Sequence, residues 1–237
     1  MTTTLIVGGT SGIGLATALR LAAAGQDVHI AGRSQDRLDK ATASDDRLHG
    51  HLADAGDAAA VGAIAAELAP VDQLIVTVSG GEGLGGLADL DLQLLRRAFD
   101  AKFWAQLTTV QAALPHLGER ASITLVSAIT ARSAMVGTAG IAAINAAVEA
   151  LVKPLAVELA PRRVNAVSPG FVDTPWWDGM PEPARREYFA AAAQALPARQ
   201  IATADQVAEV VVLAATNPNM TGTVIETDAG ARLVTIG

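Results

Sequence analysis

Short runs of β-branched and aliphatic residues recur along this chain, and each is followed by a longer Ala- and Leu-rich stretch with helical spacing. The runs are Leu5-Ile6-Val7, Val28-His29-Ile30, Leu74-Ile75-Val76, Ile123-Thr124-Leu125-Val126, Val164-Asn165-Ala166-Val167 and Thr223-Val224-Ile225, with a weaker one over Arg47–Leu52. Several are apolar at every position rather than at every second one, the pattern of a strand covered on both faces, as in a parallel sheet. Strands spaced by helices imply βαβ units with right-handed crossovers, and so an α/β fold. No internal repeat, low-complexity tract or Pro/Ser-rich linker interrupts the rhythm, so residues 1–237 read as a single doubly wound domain.

Two segments break the alternation. Ser79-Gly80-Gly81-Glu82-Gly83-Leu84-Gly85-Gly86 follows a strand and is too rich in glycine for regular structure. In an open α/β sheet, such loops at strand C-termini are where ligands bind. The second segment, Thr174–Arg199, holds Trp176, Trp177 and Tyr188 together with several prolines. It reads either as a lid over a pocket or as an extra helical pair packed on the body.

Composition narrows the classes of function. The chain is 51% hydrophobic but only 3% aromatic, so Ala, Val, Leu and Ile must fill the core. A net charge of −7 argues against nucleic acid or an anionic membrane as the main partner. The absence of cysteine removes disulfides, thiolate nucleophiles and Cys-based metal sites together. No apolar run approaches the ~18 residues of a membrane span, and Met1-Thr2-Thr3-Thr4 lacks the basic start of a secretory signal. A cytoplasmic location is therefore expected. The four histidines (His29, His49, His51, His116) fall on different elements without metal-ligand spacing, so no metal is expected; His29 and His116 read as structural.

The chemistry-bearing motif lies near the start. Gly8-Gly9-Thr10-Ser11-Gly12-Ile13-Gly14 follows the first strand and opens a helix. Glycines let the backbone turn sharply and approach a pyrophosphate with no Cβ in the way, and the helix N-terminus then offers free N–H groups to the phosphates. At the end of the second strand, an acidic residue would accept from an adenosine ribose 2′-OH; this chain has Gly32, with Arg33 and Ser34 beyond it. A guanidinium holds a phosphate in a fork of donors, so NADP(H) is favoured over NAD(H).

These residues resemble the short-chain dehydrogenase/reductase family nearly end to end. Val7-Gly8 through Gly14 is similar to its Thr-Gly-x-x-x-Gly-x-Gly fingerprint, with Val7 in place of Thr. Arg163–Thr174 matches the segment after its sixth strand, Leu196–Val212 the run into its last long helix, and Gly222–Gly230 its final strand and turn. The resemblance implies a seven-stranded parallel Rossmann sheet. It also implies that Val172 and Thr174 contact the nicotinamide carboxamide, and adds Leu52, Ser79, Gly80, Pro169 and Gly170 to the cofactor-binding set.

At the catalytic positions the chain departs from that pattern. Family members carry a Tyr and a Lys four residues apart on the helix after the fifth strand, which sets both on one helix face. The corresponding positions here are Ile141 and Asn145. The family Ser falls on Ala128, beside Ser127, and the family Asn falls on Lys102. The Asn-Asn-Ala-Gly after the fourth strand reads Thr77-Val78-Ser79-Gly80, and the third-strand Asp that contacts adenine appears as His51. The chain's single tyrosine, Tyr188, lies far downstream.

Asn and Lys thus stand exchanged: Lys102 occupies the Asn position and Asn145 the Lys position. Lys102 is expected to project toward the vacated space and stabilise a developing alkoxide or relay a proton, the alternative being a stem that packs and a head that snorkels to solvent. Lys102, Ser127 and Asn145 are therefore the candidate catalytic residues, with Thr130, Ser133 and Tyr188 as further donors. Three readings stay open: an oxidoreductase on a small carbonyl or alcohol with a non-standard proton path, a cofactor-binding regulator or scaffold without turnover, and a non-redox enzyme on the same fold. The helix from Ile141 to Leu159 is apolar around most of its circumference, and the resemblance implies that it is buried in a homodimer or homotetramer. Pro154 is expected to kink it unless packing compensates.

Overall fold

A computed structural model describes residues 1–234. The elements run β1 (Thr3–Val7), α1 (Gly12–Ala23), β2 (Asp27–Gly32), α2 (Gln35–Ser44), β3 (Leu48–Leu52), α3 (Ala58–Glu67) and β4 (Val71–Val76) through the first half. They continue with α4 (Leu92–Phe99), a π turn (Asp100–Trp104), α5 (Ala105–Ala113), β5 (Leu117–Val126), α6 (Ala139–Glu158) and β6 (Arg163–Pro169). The last part holds β7 (Val172–Asp173), α7 (Glu182–Ala195), β8 (Ala202–Thr203), α8 (Ala204–Thr216) and β9 (Val224–Thr227).

Seven strands form one sheet in the order β3-β2-β1-β4-β5-β6-β9, all parallel, and β7 pairs with β8 separately. This is the doubly wound α/β architecture expected. Its order reverses between β1 and β4, the switch point at which such sheets open a crevice for ligands. The continuous apolar runs are explained by cover on both faces. Leu5, Val7, Leu74, Val76, Ile123 and Leu125 face α3, α5 and α6, while Ile6, Val28, Ile30 and Ile75 face α1 and α8.

The weak Arg47–Leu52 signal becomes the edge strand β3, and Ile123–Val126 is only the inner end of a longer β5. Helix α6 runs as one helix from Ala139 to Glu158 with Pro154 inside it. Val148 and Val152 hold it in the core before the proline, and the partly buried Leu155, Ala156 and Leu159 pack there after it. One expectation needs correcting: α6 is long and apolar enough to pass as a membrane span by length and composition. The search for an uninterrupted apolar run missed it because Glu149 and Lys153 interrupt the stretch. Val148 and Val152 lie in the main core cluster, as in a core helix.

Candidate functional site

Because the sheet is parallel, every strand delivers its C-terminal end to one edge, and the candidate residues gather there. Gly8, Thr10, Ser11, Gly12, Ile13 and Gly14 form the turn from β1 into α1; Arg33 and Ser34 join β2 to α2; Leu52 ends β3; Ser79 and Gly80 follow β4. Ser127 follows β5, Pro169 ends β6 with Gly170 just beyond it, and Val172 and Thr174 open the segment that follows.

The glycine turn is built for close backbone approach. Gly8 (φ +92°) and Gly12 (φ +51°) occupy the left-handed region. A Cβ on Gly14 would sit 2.3 Å from the Gly8 carbonyl oxygen and 2.5 Å from Thr77 Oγ1. Ser11 leads into α1 with no side-chain cap, whereas Asp57 and Asp91 cap α3 and α4 with their carboxylates. The first amides of α1 are therefore left for a ligand. Thr174 packs 3.4 Å from where a Gly12 Cβ would lie, so the turn and the segment after β6 close on each other.

At the neighbouring strand end, a Cβ on Gly32 would lie 2.6 Å from Thr10 Cγ2. Gly32 lets the Thr10 side chain pack against the end of β2, and leaves no acidic side chain there to take a ribose 2′-OH. Arg33 is exposed, and makes no ion pair or hydrogen bond among the described residues. Ser34 is partly used up as the α2 cap, its Oγ facing the Arg37 amide at 3.5 Å. Leu52 is 57% exposed at the sheet corner. A dinucleotide's phosphates fit this cradle of bare amides, with Arg33 beside it.

On the other half of the edge, Lys102 is 7% exposed and its Nζ donates to the Ser127 carbonyl at 3.1 Å. The head stays inside, so the snorkelling alternative does not hold. Desolvation lowers its pKa from 10.5 to about 8, opposed by the charge of Glu149. Ser127 is turned inward as well: its hydroxyl donates to Glu149 Oε1 at 2.8 Å, which removes it as a free donor at the pocket edge. Glu149 Oε2 accepts from Arg132 Nε at 2.8 Å, and Arg132 reaches Glu226 at 2.6 Å. Glu149 and Arg132 went unrecognised in the sequence, although Glu149 lies one helical turn beyond Asn145 on the same face of α6.

Asn145 is buried on α6. Its amide donates to Thr130 Oγ1 at 2.8 Å and to the Ile141 carbonyl at 2.9 Å, while its Oδ1 has no partner. That orphaned acceptor at the ligand-binding edge fits a hydroxyl-bearing group such as a ribose. Ile141 contributes only hydrocarbon there, packing toward Gly83.

The Thr174–Arg199 segment holds helix α7 and a cluster of aromatic side chains packed on it. Trp177 packs with Phe171, Tyr188 and Phe189, and its Nε1 donates to the Val172 carbonyl at 3.1 Å, an extra helical unit with its own small core. Tyr188 is half-buried there, and burial pushes its hydroxyl above the usual 10. Trp176, 40% exposed, instead reaches across to donate to the Gly80 carbonyl at 3.0 Å. Between these walls lies a cavity of about 390 Å³ lined by Gly81, Leu84, Trp176, Trp177, Gly179, Met180 and Pro181, with no charged side chain. A cavity of about 570 Å³ lined by Thr2, Asp72, Arg120 and Arg163 sits at the opposite ends of the strands, away from the glycine turn.

Three of the histidines, spread over two strands in the sequence, meet in the structure. The β2–β3 register sets His29 beside His49, with rings stacked at 4.9 Å, and brings His29 Nδ1 to 3.0 Å from His51 Nε2. Asp27 Oδ1 lies 3.2 Å from His29 Nε2. The period-two spacing of His29 with Asp27 and of His51 with His49 was the signal for this convergence. No group among the described residues has the arrangement of a metal site.

A glycine-cradled helix N-terminus at the switch point of a seven-stranded parallel sheet defines a Rossmann-type dinucleotide-binding protein. A family model described as Enoyl-(Acyl carrier protein) reductase matches residues 7–232. "Cis-4-hydroxycyclohexanecarboxylate dehydrogenase" of Sinomonas cyclohexanicum is 30% identical over 239 residues, 95% of this chain and 94% of that protein. "Dehydrogenase/reductase SDR family member 4" of Homo sapiens is 30% identical over 203 residues, 77% of this chain and 72% of that one. A solved small-chain dehydrogenase in complex with NADPH superposes with a TM-score of 0.82 at 33% identity, covering 98% of this chain and 99% of that chain. The chain belongs to the short-chain dehydrogenase/reductase family.

Proposed function

We propose that this chain binds NADP(H) in preference to NAD(H) and acts as an oxidoreductase on a small carbonyl or alcohol, by a proton path that uses no phenol. The observation that carries the cofactor preference is the end of β2, where Gly32 offers no acidic side chain and Arg33 is exposed. Arg33 stands free there to receive a 2′-phosphate, and a structural neighbour is described as holding NADPH. The α1 amides would hold the pyrophosphate, Val172 and Thr174 the carboxamide, and Asn145 Oδ1 a ribose hydroxyl. Bound there, the nicotinamide supplies or takes the hydride. The protein's part is orientation, exclusion of water and the handling of the proton, in which Lys102 is the buried cation.

The uncharged cavity under Trp176 suits a small apolar substrate. Trp104, 52% exposed on the π turn, and Val157, 81% exposed on α6, leave large apolar side chains uncovered, and we assign these helices to the interface of a homodimer or homotetramer in the cytoplasm.

Titration of NADPH and NADH against the purified protein, followed by a panel of ketones and aldehydes, tests this reading. NADPH is expected to bind about tenfold or more tightly than NADH, with the gap closing in Arg33→Ala, the scale of losing a charge-assisted phosphate contact. Failure of both nucleotides to bind defeats the reading. Tight NADPH binding with no oxidation by any carbonyl selects the second reading, cofactor binding without turnover, which the hydrocarbon wall at Ile141 favours.

A further inference from the structure

Lys102 does more than its hydrogen bond requires. It sits on the single π turn of the α4–α5 helix, and such turns are rare and concentrate at functional positions. Its recorded hydrogen bond is to the Ser127 carbonyl. One turn on, Gln106 does the same service for the Val126 and Val78 carbonyls, at 3.0 and 3.3 Å, with a neutral amide. Capping a strand-end carbonyl therefore needs no ammonium, and burying one is costly.

The charge is also left largely unspent. Glu149 on α6 is the charged side chain that acts on Lys102, but it makes no ion pair with it. Its two oxygens are engaged by Ser127 and Arg132, and Arg132 is shared in turn with Glu226 on β9. Ser127 and Gln106, the other neighbours, are uncharged. A buried positive charge thus stands at the C-terminal end of β5, held on the carbonyl of Ser127. In a sheet of this topology, that half of the edge takes the second nucleotide of a dinucleotide.

We infer that Lys102 is a selectivity residue: its ammonium disfavours the cationic oxidised nicotinamide relative to the neutral reduced one, so the chain loads the reduced cofactor and releases the oxidised one, an order that suits carbonyl reduction. This rests on the NADP(H)-binding reading above. In that direction the substrate carbonyl carbon gains a hydride from the reduced nicotinamide, which is thereby oxidised. The substrate oxygen gains a proton from water, giving the alcohol.

The test is a binding ratio, independent of turnover. Dissociation constants of NADPH and NADP⁺ are measured by calorimetry at pH 7 and pH 9.5 for the wild type, Lys102→Met and Lys102→Arg. Both nucleotides carry the same phosphates, so their titration cancels in the ratio. The expected result is that Lys102→Met tightens NADP⁺ relative to NADPH by about fivefold at pH 7, the scale of a unit charge acting across a partly hydrated pocket. Lys102→Arg keeps the wild-type ratio, and the wild type at pH 9.5 moves toward the Met variant as Lys102 loses its proton. The wild-type pH comparison needs no variant to fold. A ratio unchanged both by Lys102→Met and by pH overturns the inference while the cofactor reading stands. Failure of the wild type to bind either nucleotide overturns both.

Discussion

Burial moves the Lys102 pKa from 10.5 to about 8, and that shift is a statement about stability. The folded state sheds the proton more readily than the unfolded chain, so stability rises with pH between about 8 and 10.5 and carries the whole penalty below 8. At 1.36 kcal/mol per unit the penalty is about 3 kcal/mol, partly offset by the bond to Ser127. Lys102→Met is therefore expected to be more stable than the wild type at pH 7 by roughly 2 kcal/mol, an advantage that shrinks as pH rises through 10. Urea denaturation at the two pH values checks it, and a Met variant less stable at pH 7 contradicts it. The exchange of Lys102 and Asn145 was legible as residue types at known positions. The inward course of the lysine was not, because a Lys stem can bury or snorkel from the same Cα, and only the π turn and the Ser127 carbonyl decide which. Likewise Gly32 was legible as a missing carboxylate, but the packing of the Thr10 methyl against it needed two segments brought together.

At the scale of elements, the alternation of apolar runs with helical stretches foretold the α/β sheet, because strands buried on both faces carry their whole signal locally. Edge strand β3 was weak for the same reason: His49, Gly50 and His51 cover it where a core strand would have Val or Ile. The aromatic segment was ambiguous because packing and pocket-lining demand the same residue types. Its packing is separate from the main core, with Ile129, Phe171, Leu196 and Ala231 buried together and Trp177 against them. A unit held by its own small cluster opens on its own. Trp177→Ala, which removes a side chain worth ~3–5 kcal/mol in a core, is thus expected to spend its effect locally. Limited proteolysis within residues 174–199 should accelerate tenfold or more, while the urea midpoint of the sheet core changes little. A midpoint falling in step with the cleavage rate would show instead that the segment and the sheet unfold as one.

For the whole molecule, the response to acid is decided where β2 and β3 pair at the sheet edge. Desolvation lowers the His51 pKa most and repulsion from His29 lowers it further, opposed by the charge of Glu67, with His49 adding the smallest lowering. A depressed histidine binds its proton less readily in the folded state than in the unfolded chain, whose value lies near 6.5. Stability is therefore intact above that pH and is lost progressively as pH falls through the folded value. His29 contacts His51 on one side and Asp27 on the other, so a proton added to His51 meets two imidazoles, with the charge of Glu67 opposing them. The strand that suffers has only one partner, β2, so its loss uncovers the corner where Leu52 and Arg33 sit beside the phosphate cradle. The expected sequence on acidification from pH 7.5 to 5.5 is earlier hydrogen exchange of the β3 amides, weaker nucleotide binding and a lower urea midpoint, in that order. His51→Gln, which keeps a polar side chain at the site but cannot take the proton, should flatten all three pH dependences, and a Gln variant as acid-sensitive as the wild type would place the sensitivity elsewhere than this pair of strands.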